Sequence, residues 1–124
     1  MEENIVHSYR QLIVWQKAME LVVLVYHLTD RLPASEKYGL VSQMRRCAVS
    51  IPSNIAEGRR RSSRKDYAQF LMIAYGSGAE LETQMEIVRR LSFLTSAVIA
   101  PVESLLDEVM RILNKMLLTL RSSP

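Results

Sequence analysis

One cysteine in 124 residues, Cys47, has no partner for an internal disulfide. That excludes a disulfide scaffold and suits a reducing compartment. Glycine and proline number four each, so the chain has few breakers and long uninterrupted elements are expected. No apolar run exceeds Leu21 to Tyr26, whereas a membrane-spanning helix needs about 20 residues. Glu2 and Glu3 carry the wrong charge for a secretory leader, and the expectation is a soluble, cytoplasmic protein. Neither His7 nor His27 has a glutamate three positions before it, so the Glu-x-x-His pairs of di-iron bundles are missing. There is no cysteine pair for zinc, and no glycine falls in a phosphate-cradling GxxxxGK or GxGxxG pattern. The sequence therefore calls for no metal and no cofactor.

What remains is helical periodicity. A chain of this length is one domain, residues 1–124, large enough to bury a core unaided. Apolar residues at three- and four-residue steps predict four helices, over about 11–29, 36–57, 64–91 and 96–120. In the first, Trp15, Ala18, Val22, Val25 and Thr29 form one stripe and Leu21, Leu24 and Leu28 a second. So wide an apolar face calls for more than one neighbour, a second subunit included. The second helix is read from Ser35 as N-cap to Gly58 as stop, along Leu40, Met44, Cys47, Ile51 and Ile55. Pro52 interrupts it and predicts a kink, the rival being a break with Ser50 capping a new helix. Ser63 with Asp66 reads as the cap of the third helix, and Thr95 or Ser96 as that of the fourth. Gly76 and Gly78 inside the third helix imply close approach by a neighbour. Short loops make the helices antiparallel, and the fold class is an all-α, up-and-down four-helix bundle.

Charge is unevenly spread. Residues 31–65 hold nine Lys/Arg against two acids, a net +7, which leaves the rest of the chain at −4 within a total of +3. Arg59, Arg60, Arg61, Arg64 and Lys65 crowd the turn between the second and third helices. The plain reading is a solvated turn. The functional one is a phosphate site, strengthened by the amide donors that open the third helix. No helix-turn-helix pattern or aromatic platform marks sequence-specific readout.

A second constellation is polar. Gln43, Arg46, Ser50, Asn54 and Glu57 share a face of the second helix, and Ser77, Glu80 and Gln84 share one of the third. Either these are solvated faces or they form an interhelical network, with Arg46 paired to a carboxylate such as Glu80, that fixes helix register. A catalytic pocket built from Arg46, Glu57 and Glu80 ranks last. Cys47, in an apolar stripe, reads as a small hydrophobe and not as a nucleophile. No catalytic residue is assigned, and the chain is not expected to be an enzyme.

Several stretches then combine. Val14-Trp15-Gln16-Lys17-Ala18, Ser42-Gln43-Met44-Arg45-Arg46, Ser50-Ile51-Pro52-Ser53-Asn54-Ile55-Ala56-Glu57-Gly58, and Ala74-Tyr75-Gly76-Ser77 followed by Glu80-Leu81-Glu82-Thr83-Gln84 span nearly the whole chain. Together they resemble the four-helix-bundle family of ribosomal RNA intervening sequences, the 23S rRNA intervening sequence proteins. The accessory variability proteins of diversity-generating retroelements are related to these. The resemblance implies a protomer of a ring-shaped homo-oligomer, a homopentamer. Through the retroelement relatives it also implies a basic surface for nucleic acid and a reverse transcriptase, which falls here on Arg59, Arg60, Arg61, Arg64 and Lys65. The polar residues Gln43, Arg46, Ser50, Asn54, Glu57, Ser77, Glu80 and Gln84 would hold the fold and the ring.

The leading expectation is thus a non-catalytic, homo-oligomeric accessory protein that binds structured RNA or DNA, with a reverse transcriptase or ribosomal RNA as possible partner. The alternative is a protein-interaction scaffold with no nucleic-acid role.

Overall fold

Local signals cut the chain into its elements. The computed structural model describes residues 8–122, so Glu2, Glu3 and His7 lie outside the described residues. A short 3-10 turn, Tyr9–Gln11, leads into α1, Ile13–Thr29. Helix α2 is Ser42–Arg59, α3 is Arg64–Arg90 and α4 is Ser96–Ser122. The N-cap of α3 is Ser63, whose hydroxyl accepts from the Asp66 amide at 3.1 Å. Thr95 does the same before α4, accepting from Val98 at 3.3 Å. Helix α3 ends in a Schellman turn, with Phe93 N–H on the Val88 carbonyl and Ser92 N–H on that of Arg89. Ser92 takes the left-handed position at φ 58°, which usually falls to glycine.

Each helix packs on its neighbours in cyclic order, α1 on α2, α2 on α3, α3 on α4 and α4 back on α1. Every such pair is antiparallel. Ser50 of α2 meets Ser77 of α3, while Gly58, near the end of α2, meets Tyr67 and Phe70 near the start of α3. Arg89 at the end of α3 pairs with Glu103 at the start of α4, and Arg64 at the start of α3 reaches the carbonyls of Thr119 and Leu120. Lys17 of α1 bridges to Glu108 of α4 at 3.0 Å. Arg45 closes the α1–α2 corner. Its Nε donates to Thr29 Oγ1 at 2.9 Å and its Nη2 to Asp30 at 2.8 Å, and its guanidinium lies 4.4 Å from the Tyr26 ring centre. One core runs the length of the bundle through residues such as Leu21, Met44, Ile51, Leu81, Leu106 and Leu113, all essentially inaccessible. No helix among the described residues is long and apolar enough to cross a membrane.

The departures from the sequence reading are local. Helix α2 starts at Ser42, not near Ser35. Residues 34–41 form a 3-10 turn and a wide turn that Gly39 breaks with φ and ψ both −107°, and Glu36 rather than Ser35 caps it by accepting from the Leu40 amide. Pro52 sits inside one continuous helix, which overturns the rival break at Ser50. Gly58 is not a stop. It is helical and buried, and an added Cβ would lie 2.7 Å from Phe70 Cβ and 3.2 Å from the Tyr67 carbonyl. The predicted close approach holds at Gly78, under the Met110 side chain, and fails at Gly76, where a Cβ would meet nothing within 4 Å. In α1 the buried residues are Val14, Ala18, Leu21, Val25, Leu28 and Thr29, with Trp15, Val22 and Leu24 only partly covered. Both expected stripes therefore contribute to the core, and Val14 joins them.

Two substitutions test this geometry by urea unfolding. Gly58→Ala is expected to cost about 1–3 kcal/mol, since rigid backbone and Cβ atoms block the new methyl. Ser92→Gly is expected to gain about 1 kcal/mol by relieving the left-handed position.

Candidate functional sites: a basic end and a polar groove

The turn between α2 and α3 has only residues 60–63, so side chains on both helices crowd one end of the bundle. Each arginine there has a seat. Arg59, half-buried, lies over Tyr67 at 5.9 Å, Arg60 over Tyr9 at 5.5 Å, and Arg61 over Phe70 at 4.8 Å with an ion pair to Glu57. Stacking of a guanidinium on a ring holds its plane while leaving N–H donors at the edge. Arg64 donates to the last carbonyls of α4, at 3.2 Å for Thr119 and 3.5 Å for Leu120. It thereby offsets the negative end of that helix dipole.

The fold adds two cations that linear reading missed. Arg10 lies against Tyr9 and Trp15, both ring centres 5.6 Å away. Arg121, near the end of α4, reaches over Met72. With Arg64 and Lys65 it flanks a shallow cleft of about 380 Å³ floored by Ala68, Met72 and Leu120. Neither residue is near the basic turn in sequence, and only the antiparallel return of α4 and the entry turn bring them there. The same fold divides the basic segment 31–65. Arg31, Lys37 and Arg45 sit at the opposite end, because the whole length of α2 lies between. The positive charge of that segment is therefore split between the two ends, and the basic turn is joined by Arg10 and Arg121.

The polar residues separate into two groups. Ser50 and Ser77 share a hydrogen bond of 2.8 Å across α2 and α3, and Asn54 Nδ2 donates to both the hydroxyl and the carbonyl of Ser50 at 3.0 and 2.8 Å. Gln84, on α3, donates from Nε2 to Cys47 Sγ at 3.5 Å. Gln43, Arg46 and Glu80 stand at the rim, exposed, and with Cys47, Ser50, Ser77 and Gln84 they line an open groove of about 390 Å³ between α2 and α3. The expected Arg46–Glu80 ion pair does not form, and neither residue is in an ion pair among the described residues. Glu57 lies outside the groove, held by Arg61. Helical spacing correctly put these side chains on facing helices, but it could not tell rim from interior.

Burial pushes the Cys47 thiol up. Gln84 opposes this by donating to sulfur, and Glu80 raises it further through its charge and as acceptor of the thiol hydrogen. Burial also raises the Tyr67 phenol, against the pull of Arg59. A protonated, inaccessible thiol is a poor nucleophile. Among the described residues no group of three His, Cys, Asp or Glu could hold a metal ion.

Comparison with known proteins agrees with this architecture. A family model described as 23S rRNA-intervening sequence protein matches residues 10–115. A solved structure from Bacteroides thetaiotaomicron, a protein with unknown function from the S23 ribosomal protein family, superposes with a TM-score of 0.79. Its sequence is 25% identical, and the match covers 85% of this chain and 98% of that one. No curated protein matches the chain.

A raised folded-state thiol pKa means that the unfolded chain releases its proton first. Stability from Cys47 is thus complete below the ordinary cysteine range and is lost as pH rises through the folded value. Unfolding midpoints measured up the alkaline range are expected to fall, and to fall less steeply in Cys47→Ala. Ser50→Ala is expected to cost about 1–3 kcal/mol in denaturant unfolding, because it strands the Ser77 hydroxyl and an Asn54 donor.

Proposed function

Since the chain belongs to the 23S rRNA-intervening sequence protein family, we propose that it is a non-catalytic, homo-oligomeric accessory protein that binds structured RNA or DNA through its basic end. The observation that carries the reading is the convergence of Arg10, Arg59, Arg60, Arg61, Arg64, Lys65 and Arg121 on one end of the bundle. Nearby acids among the described residues are Glu57, already paired with Arg61, and the first-turn Asp66 of α3. Arginine edges presented from aromatic seats suit phosphate oxygens, and nothing there is arranged to read base edges. Binding of this kind is governed by counterion release and is insensitive to sequence.

Assembly is supported by the apolar residues left outside. Met19, Val23 and Tyr26 are exposed on α1, and Met72, Ile73 and Ile87 on α3. In the cyclic order of the bundle α1 and α3 are diagonal, so these two faces point away from each other. Two different faces on opposite sides suit a head-to-tail contact, which closes into a ring if the rotation allows. Gly76 sits in the α3 face with open space before it, at a helix-interior cost of about 1 kcal/mol that nothing among the described residues repays. A ring would repeat the basic end around its circumference and gain avidity from linked weak sites. The same apolar faces also favour the scaffold reading, in which they meet another protein and the basic end is only solvated. A reverse transcriptase or ribosomal RNA would be the partner in the first case.

Fluorescence anisotropy with a labelled structured RNA and a matched DNA duplex, over a range of salt concentrations, separates the two. Affinity is expected to fall steeply with salt. Combined Arg60→Gln, Lys65→Gln and Arg121→Gln replacement should lower the log–log salt slope by about one per phosphate contact removed. Absence of binding at low salt would leave the scaffold. Light scattering should show an oligomer that Gly76→Glu dissociates with helix content unchanged, and a monomeric wild type would rule out the ring.

A further inference from the structure

The groove between α2 and α3 plays no part in the function proposed above, yet it contains an unmet demand. Gln84 is only 6% exposed, and its Oε1 has no hydrogen-bond donor among the described residues. Gln84 Nε2 donates to the Cys47 sulfur at 3.5 Å, which leaves the amide oxygen as the atom without a partner. Buried carbonyl oxygens without donors are uncommon and ask for an explanation.

The groove wall narrows what could supply that donor. At the rim stand one cation and one carboxylate, Arg46 and Glu80, in no ion pair among the described residues. Gln43 and the Ser50–Ser77 pair complete a polar lining. A metal ion is disfavoured, since no cluster of three ligating side chains is present among the described residues. A phosphate dianion would face Glu80 with only one guanidinium to hold it. An apolar ligand would strand the polar wall. A ligand with both charges, and N–H donors on its positive end, satisfies every group. At about 390 Å³ the groove lies toward the small end of ligand pockets, which run from about 300 to 1,000 Å³.

We propose that this groove binds a small zwitterion of the α-amino-acid class. The ligand ammonium meets the Glu80 carboxylate and, with the Gln84 amide turned toward the groove, donates to Gln84 Oε1, which is otherwise closed to solvent; the ligand carboxylate meets Arg46 with Gln43 beside it. The site lies between helices of a bundle, a common place for ligands, and it is independent of the basic end.

The test uses the full chain, with each standard amino acid as probe at millimolar concentration, by saturation-transfer NMR followed by titration calorimetry. At least one is expected to bind saturably, one per chain, and its methyl ester and N-acetyl derivatives to fail. Glu80→Gln and Arg46→Gln each alter an exposed side chain and so keep the fold. Each should weaken binding about tenfold or more, the loss expected for a charge-assisted hydrogen bond. Combined replacement of Arg60, Lys65 and Arg121 should leave this affinity unchanged even if nucleic-acid binding is lost or never existed. The proposal is overturned by lack of saturable binding with all the amino acids, or by binding indifferent to both rim variants. It is overturned equally if hydrogen exchange shows the groove already covered by a second copy in the assembled protein.

Discussion

Helices α2 and α3 come so close at Gly58 that no Cβ fits between them, and both candidate sites rest on that approach. With an added methyl 2.7 Å from Phe70 Cβ, a side chain there would prise the helices apart. Their closeness lets Ser50 and Ser77 share one hydrogen bond at 2.8 Å and lets Gln84 reach Cys47. The same crossing sets Tyr67 and Phe70 where Arg59 and Arg61 can lie on them. Buried polar pairs of this kind add little net stability, but they penalise every other register. A slip of one turn would bring Ser50 against Ala74 or Leu81, both fully buried and apolar.

How much of this could be read in advance depended on the type of signal. Long amphipathic segments with few breakers made four helices legible, and the hydroxyl-before-acid pattern at Ser63 and Asp66 located the start of α3 to the residue. Signals that mean different things in different surroundings misled. Gly58 looks like a helix stop because glycine often ends helices, yet here its small size is used for packing inside one. Pro52 did not mislead in this way, for the helix continues through it and only the rival break fails. Ser35 resembles a cap, but the turns around Gly39 form the α1–α2 corner and delay α2 to Ser42.

The candidate sites were legible by composition and not by geometry. A run of arginines announces a basic turn, but Arg10 and Arg121 join it only through the fold. Spacing of three and four put Gln43, Arg46 and Ser50 on one face, and Ser77, Glu80 and Gln84 on another. It did not reveal that Arg46 and Glu80 stay apart across an open groove while Gln84 sinks behind them. Pairing depends on side-chain reach and on the distance between helix axes, and neither is encoded in a periodicity.

The connection of residues 60–63 has a consequence for how the molecule assembles. Short connections make the α2–α3 and α3–α4 hairpins the pairings of shortest range, whereas α1 and α4 are brought together across most of the chain. Entropy of loop closure favours contacts close in sequence. The α2–α3 hairpin, with the groove and most of the basic end, is thus favoured to form early, and closure of α1 on α4 comes late. Defects in that last seam act mainly on the rate of unfolding. Drift there could shorten the lifetime of the folded protein while leaving the surfaces it offers to partners intact.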